Sequence, residues 1–220
     1  TNNFWSKPFI ECLSQNHTLY ILDYIKVAKP DMNLIVDEVD TFINRMNLNH
    51  PEVIGWSMGG GIALALANKY PHSVSKLGLI SSVVAEPGLS QMVPPYHGKS
   101  DSVNERLNYV FGNNIHGYKA EDLKRYKAEM LSENVFVHHD VLKLQEELLA
   151  KWMTNRDNST MVAHLRIPMN VIIGKHDAIL NPQVELQAFK KNPKANITVL
   201  DSGHASFYVL PEQSCKAILH

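Results

Sequence analysis

The feature that most constrains the fold of this chain is the run Gly55-Trp56-Ser57-Met58-Gly59, which joins an apolar segment to a helical one. Residues 53–56 are typical of a short strand, and the alanine- and leucine-rich run after the serine is typical of a helix. Gly55 and Gly59 have no Cβ, so a strand and a helix can pass close together there. The pattern predicts a sharp strand-to-helix turn that presents Ser57 at a helix N-terminus above a sheet.

A serine in that position has the surroundings that a nucleophile needs. The backbone N–H of Met58 and the positive end of the helix dipole would face negative charge that develops beside Ser57. The alternative is a glycine-rich phosphate-binding turn or a plain connection, although neither G-x-x-x-x-G-K-[ST] nor G-x-G-x-x-G occurs in the sequence. We therefore treat Ser57 as a candidate nucleophile and Met58 N–H as a candidate oxyanion donor.

Strand-like and helix-like segments alternate in both outer parts of the chain. The predicted strands are 18–22, 53–56, 76–84, 169–173 and 196–200. The predicted helices are 5–14, 32–47, 58–70, 183–190 and 207–219. This alternation predicts an α/β fold with a mostly parallel sheet that is flanked by helices.

The alternation stops in the middle of the chain. From residue 87 to 158 the sequence is polar and helical, with helices predicted over 102–111, 120–131 and 135–153. We interpret residues 87–158 as a helical cap inserted between two parts of one core, residues 1–86 and 159–220. Five residues are candidates for contact with substrate, and these are Trp56, Met92, Tyr96, Phe111 and Trp152.

Two later strands end in residues that complement a serine nucleophile. Asp177 follows the strand predicted at 169–173, and His204 follows the strand predicted at 196–200. A histidine can take the serine proton and return it to the leaving group, and a carboxylate can orient the imidazole. We therefore predict Ser57 as nucleophile, His204 as general base and Asp177 as the orienting acid. Asp201 competes for the acid role but is too close to His204 in sequence for an easy approach.

These motifs resemble the α/β-hydrolase superfamily, and within it the small, cap-bearing, esterase-like branch. Gly55 to Gly60 resembles its nucleophile elbow, Leu165 to Asp177 its penultimate strand and acid loop, and Ser202-Gly203-His204 its histidine loop. The resemblance implies hydrolysis through an acyl-enzyme, without a cofactor. From the ordered triad and the cap we expect the substrate to be a small or medium carboxylic ester or thioester. In this family a His-Gly loop supplies a second oxyanion donor, which we expect upstream of Thr1 together with the first strands of the sheet.

The same three residues serve several reactions, so the alternatives stay open at this point. Carbon–carbon hydrolases, lactonases and acyltransferases share this triad, and pocket shape and water access separate them. A third possibility is a ligand receptor or interaction module without catalytic activity on the same fold. An ester-like small molecule is nevertheless the expected partner.

Composition and charge argue against nucleic-acid binding, a membrane span and a metal site. The net charge of −1 gives no field that favours nucleic acid, and no apolar run reaches the length of a membrane span. No metal site is expected, because His138 and His139 lack a third ligand at a zinc-like spacing. Cys12 and Cys215 are the only cysteines, so we expect reduced thiols and a cytoplasmic location.

Overall fold

The centre of the fold is a sheet of four parallel strands. The computed structural model describes residues 5–22, 31–85, 103–111, 120–132, 139–155 and 160–220. The strands are β1 (Glu52–Trp56), β2 (Lys76–Ile80), β3 (Met169–Gly174) and β4 (Ala195–Leu200). They lie side by side in the order β1-β2-β3-β4, and every neighbouring pair is parallel. The expectation of a mostly parallel sheet is therefore confirmed.

Ten helices are present among the described residues. They are α1 (Lys7–Ser14), α2 (Met32–Arg45), α3 (Met58–Lys69), α4 (Val103–Phe111), α5 (Ala120–Ser132), α6 (His139–Thr154), α7 (Met161–His164), α8 (Pro182–Lys190), α9 (Ser206–Val209) and α10 (Pro211–Leu219). Helix α3 packs on β1 and β2, and α2 packs on α3. Helix α10 packs on β3, and α1 packs on α10. None of the described helices is long and apolar enough to cross a bilayer.

Side-chain caps explain where two of the core helices begin. Asp31 Oδ1 accepts a hydrogen bond from Asn33 N at 2.9 Å at the start of α2. Asn181 Oδ1 accepts one from Gln183 N at 3.0 Å at the start of α8. Such caps satisfy amides that a helix leaves without internal partners. Polar residues at these two positions therefore fix the starts of elements whose apolar sides join the core.

Helices α4, α5 and α6 all lie between β2 and β3 in the chain. No strand occurs in the described parts of this stretch, which are 103–111, 120–132 and 139–155. The predicted boundaries at 86/87 and 158/159 fall outside the described residues. The division into a core of residues 1–86 and 159–220 and a cap of residues 87–158 stays a prediction.

Three predicted elements differ from the structure, the first being the strand expected at 76–84, which ends at Ile80. The strand expected at 18–22 is not a strand, and the side chains of Tyr20, Ile21 and Leu22 are exposed. An extended segment becomes a strand only beside a partner, and in the described sheet β1 pairs with β2 alone. The helix expected at 207–219 is divided into α9 and α10, because Pro211 has no N–H to continue α9 and instead begins α10.

The expectation of two reduced cysteines is also wrong. Cys12 in α1 and Cys215 in α10 form a disulfide that joins residues 203 positions apart. The spacing in sequence gave no sign of this contact, because only the packing of α1 on α10 brings the two side chains together. The expected cytoplasmic location depended on reduced thiols, so the disulfide removes its basis.

Candidate active site

The predicted site residues follow three strands of the sheet at the same edge. Ser57 comes directly after β1, Asp177 follows β3, and His204 follows β4. The carboxyl ends of parallel strands share one edge, where ligands of open α/β sheets bind. The topology therefore gathers at one edge the three residue types that the sequence analysis selected.

Ser57 lies in a strained turn that surrounding hydrogen bonds hold in place. Its φ is 55° and its ψ is −119°, in the region that residues with a Cβ rarely adopt. Its N–H donates to the carbonyl of Ile80, and its carbonyl accepts from the N–H groups of Gly60 and Val83, each at 3.0 Å. The turn is thus tied to β2, to the residues after β2 and to the first turn of α3.

Glycine is required where this turn is tightest. A Cβ on Gly55 would lie 2.3 Å from the carbonyl oxygen of Gly59, and a Cβ on Gly60 would lie 2.0 Å from Ser82 Oγ. The strand, the helix and the segment after β2 can approach this closely only without those side chains. Met58 is the first residue of α3, so its N–H has no partner inside the helix and is available to a developing oxyanion.

Asp177 and His204 form a buried pair. The distance between His204 Nδ1 and Asp177 Oδ2 is 2.7 Å, and the two residues are 2% and 6% exposed. The other carboxylate oxygen, Asp177 Oδ1, accepts from Ile179 N at 2.8 Å and Leu180 N at 2.9 Å. A carboxylate fixed in this way holds the imidazole with Nδ1–H toward the acid, which leaves Nε2 as the nitrogen able to accept a proton.

Trp56, the residue before Ser57, contacts His204. Its Nε1–H donates to the carbonyl of His204 at 2.9 Å, and the centres of the indole and imidazole rings are 5.3 Å apart. No hydrogen bond between Ser57 Oγ and His204 occurs among the described residues. Trp56 and Asp177 thus each contact His204 directly. Ser57 is the next residue after Trp56 in the chain.

Asp201, the competing acid, is engaged elsewhere. Its Oδ1 lies 2.7 Å from His176 Nε2 and 3.8 Å from Lys175 Nζ, on the exposed side of the acid loop. Asp177 is the carboxylate that contacts His204. The contacts thus favour Asp177 over Asp201 as the orienting acid.

Parts of the predicted cap contact this edge of the sheet. Phe111 and Trp152 are 1% and 6% exposed, and Trp152 packs against Gly61 of α3. At the end of α4, the carbonyl of Val110 accepts a hydrogen bond from Ala205 N at 3.3 Å. Met92 and Tyr96 lie outside the described residues, as does the second oxyanion donor expected upstream of Thr1. Contact of any of these residues with substrate remains a prediction.

Glu185 is a buried acid near the site that the sequence analysis missed. It is 1% exposed, and its Oε1 accepts from Ser82 N at 2.7 Å. Burial raises the pKa of Glu185 well above its usual range, the Ser82 hydrogen bond opposes that rise, and the charge of Asp177 adds to it. The signal was present in α8, because Glu185 shares its apolar side with Ala188 and Phe189 at helical spacing.

The described residues contain no group of three or more His, Cys, Asp or Glu side chains arranged to hold a metal ion. The titratable groups at the strand ends instead form pairs, Asp177 with His204 and Asp201 with His176. Such pairs suit proton transfer and imidazole orientation.

Known proteins resemble this chain in both sequence and fold. Residues 26–204 match the family described as serine aminopeptidase, S33. Lipase 1 of Psychrobacter immobilis is 29% identical over 159 residues, which cover 68% of this chain and 48% of the lipase. The chain thus spans about half the length of that curated relative.

Solved structures extend the likeness over most of the chain. The α/β hydrolase fold protein from Chitinophaga pinensis has a TM-score of 0.74 at 19% identity, and the match covers 96% of this chain and 81% of that one. The esterase from Exiguobacterium antarcticum has a TM-score of 0.65 at 17% identity, covering 87% and 74% of the two chains. At these identities the likeness shows the fold.

Proposed function

This chain belongs to the serine aminopeptidase S33 family of α/β hydrolases, and we propose that it hydrolyses small or medium carboxylic esters or thioesters through an acyl-enzyme. In this proposal Ser57 is the nucleophile, His204 the general base and Asp177 the orienting acid. The likeness to a lipase in sequence supports the choice of an ester bond. The substrate is a small molecule, and no cofactor takes part in the reaction.

The observation that carries the proposal is the buried Asp177–His204 pair at the sheet edge where Ser57 directly precedes α3. The carboxylate contacts Nδ1 at 2.7 Å and is itself held by two backbone amides. A buried pair with this geometry stabilises the imidazolium that forms when the serine proton is taken. In the proposed mechanism, His204 Nε2, the nitrogen turned away from Asp177, takes the proton of Ser57.

The reaction follows from these positions. Ser57 Oγ attacks the carbonyl carbon while its proton passes to His204 Nε2, and the negative oxygen of the tetrahedral intermediate accepts from Met58 N–H. The intermediate collapses, the leaving alcohol or thiol takes the proton from His204, and the acyl group stays on Ser57. A water molecule, deprotonated by His204, then attacks the acyl-enzyme, and the carboxylic acid product is released from Ser57.

In this proposal the helices of the predicted cap shield the reaction from water. Phe111 and Trp152 are apolar and buried next to the histidine loop and α3, and in this proposal the acyl chain binds on that side of the strand ends. An apolar wall on one side and a polar sheet edge on the other suit a substrate with a hydrophobic acyl group and one reactive carbonyl.

The first test is labelling of the full-length protein with a fluorophosphonate, with the modified peptide located by mass spectrometry. We expect modification of Ser57, and we expect Ser57→Ala to abolish it and to lower kcat for p-nitrophenyl butyrate by about 10⁶. Asp177→Asn should lower kcat by about 10⁴, because the imidazole then loses its tautomer and orientation.

Ser81→Ala is the matched control. Like Ser57, Ser81 has a positive φ, of 40°, and directly follows a neighbouring strand, whereas Ser81 is buried and Ser57 is half-buried. Labelling and activity should survive its replacement. A folded wild-type protein that resists the fluorophosphonate, or near-full activity in Ser57→Ala, would contradict the proposed function.

A further inference from the structure

His204 is held at two points by residues that belong to different strands. The imidazole of His204 is held by Asp177, which follows β3, and its carbonyl is held by Trp56, which ends β1. These two anchors come from different strands and act on different ends of the residue. Together they fix both the direction of the imidazole and the position of the loop that carries it.

Trp56 is also the covalent neighbour of Ser57. Its Nε1–H donates a hydrogen bond of 2.9 Å to the His204 carbonyl. The proposed base is therefore bonded to the residue next to the proposed nucleophile. The histidine loop (residues 201–205) is a connection between β4 and α9, whereas β1 is a strand of the sheet. We propose that Trp56 is a positioning residue that uses the rigid end of β1 to hold His204 in register with Ser57. This inference rests on the proposed function.

The surroundings of Trp56 keep its indole in this orientation. The ring of Phe207 meets it edge-on with ring centres 5.1 Å apart, and the residue is half-buried. An indole has one N–H and no acceptor, and in this structure that donor is used by the His204 carbonyl. A direct hydrogen bond from Trp56 to substrate, as its predicted substrate contact would suggest, would require the bond to His204 to break.

The expected effect follows from the sensitivity of proton transfer to distance. A displacement of about 1 Å between catalytic groups can cost about 100-fold in rate. Loss of the Trp56 N–H should thus lower kcat and leave KM nearly constant. Loss of a substrate contact would instead raise KM.

The test compares Trp56→Phe with wild type, using p-nitrophenyl butyrate hydrolysis and the rate of fluorophosphonate labelling of Ser57. We expect kcat and the labelling rate to fall by about 10- to 100-fold, with KM changed by less than about twofold. Trp5→Phe is the matched control, since the Trp5 ring contacts the same Phe207, with ring centres 4.8 Å apart. It should keep kcat within about twofold of wild type.

A shape-preserving replacement keeps the test valid if Trp56→Phe fails to fold. Introducing β-(3-benzothienyl)alanine at position 56 puts sulfur where the N–H lies and leaves the ring outline unchanged. The same fall in kcat supports the inference, whereas wild-type kcat in this variant overturns it. A rise in KM at constant kcat also overturns it, because Trp56 would then contact substrate.

The two proposals fail in distinguishable ways. Absence of labelling in the folded wild-type protein overturns the proposed function and this inference together. Normal labelling and hydrolysis in wild type, with Trp56→Phe as active as Trp5→Phe, overturns the role of Trp56 alone.

Discussion

At the scale of single residues, Glu185 has the most unusual environment next to the site. Its carboxyl group is buried, one oxygen accepts from Ser82 N, and the other has no hydrogen-bond partner among the described residues. Removal from water disfavours the charged form, and the nearby charge of Asp177 disfavours it further. Burial, followed by the charge of Asp177, therefore raises the pKa of Glu185 well above its usual range and favours its neutral form beside the Asp177–His204 pair.

This environment makes stability depend on pH in a defined direction. The pKa of Glu185 is raised in the folded protein. The contribution of its protonation to the free energy of unfolding is therefore fully present below the ordinary glutamate pKa, and it is lost as the pH rises through the pKa of Glu185 in the folded protein. Glu185→Gln keeps an oxygen acceptor for Ser82 N and cannot ionise. We expect this variant to gain stability relative to wild type as pH rises above about 4.5, by at most about 1.4 kcal/mol per pH unit.

Urea unfolding of both proteins at several pH values between 4.5 and 8 measures this difference. Glu38→Gln is the matched control, because Glu38 is an exposed residue of α2 and should show no such trend. A Glu185→Gln difference that stays constant across the range would mean that Glu185 is ionised in the folded protein, against the burial argument.

Sequence reasoning could select candidate site residues whose chemistry is evident from their residue type. Ser57, Asp177 and His204 each follow a predicted strand, and the structure places them after β1, β3 and β4. It missed the roles of side chains whose partners are remote, such as the bond from Trp56 to a carbonyl 148 positions away. That bond depends on how the ends of two strands are packed, which no local pattern encodes.

At the scale of elements, α4, which belongs to the predicted cap, directly contacts the histidine loop. A Cβ on Gly203 would lie 2.6 Å from the carbonyl oxygen of Phe111 and 3.0 Å from that of Val110. The neighbouring Ala205 N donates to the same Val110 carbonyl. The backbone at the end of α4 thus rests directly on the loop that carries His204.

We expect Gly203→Ala to separate these two elements. The added methyl group meets backbone atoms, which cannot rotate away, so the end of α4 or the histidine loop must shift. Overpacking of this kind costs about 1–3 kcal/mol. Urea unfolding should show that loss of stability, and kcat should fall with it because His204 moves with the loop.

Gly61→Ala provides the comparison for this prediction. A Cβ on Gly61 would lie at ordinary contact distances of 3.4–3.8 Å from its neighbours, and the residue is inside α3. Alanine favours a helix over glycine by about 0.5–1 kcal/mol, so this variant should match or exceed wild-type stability. Equal stability losses in the two variants would show that Gly203 is no tighter than Gly61.

The elements themselves were predictable where local signals agreed with packing. Helices α2 and α8 have caps and apolar stripes, and both were expected near their observed bounds. The segment at 18–22 has the β-branched and aromatic composition of a strand, but strand formation depends on hydrogen bonds to a neighbour. Composition alone could not reveal that the described sheet supplies no neighbour for it.

At the scale of the whole molecule, the two outer parts of the chain are joined beside the site. The disulfide links α1 to α10, and in α1 Phe9 packs on Phe207 with ring centres 5.7 Å apart. Ser6 Oγ donates to the carbonyl of Phe207, whose ring meets the Trp56 indole. The same aromatic cluster that supports α1 thus reaches the residue that contacts His204.

This arrangement predicts a large contribution of the disulfide to stability. A crosslink reduces the conformational freedom of the unfolded chain, and one that closes a loop of 203 residues should contribute about 2–4 kcal/mol. We expect the double variant Cys12→Ala/Cys215→Ala to lower Tm by about 4–16 °C. Dithiothreitol should lower the Tm of wild type by a similar amount and leave that of the double variant unchanged.

Alkylation decides whether the bond is present before any reductant is added. In denatured, unreduced protein iodoacetamide should modify neither Cys12 nor Cys215, and after reduction it should modify both. Since α1 supports Phe207 and Phe207 supports Trp56, hydrolysis by the reduced protein should also become heat-sensitive at a lower temperature than hydrolysis by the oxidised one. Alkylation of both cysteines in the unreduced protein would contradict the disulfide and would support the reduced thiols expected from the sequence.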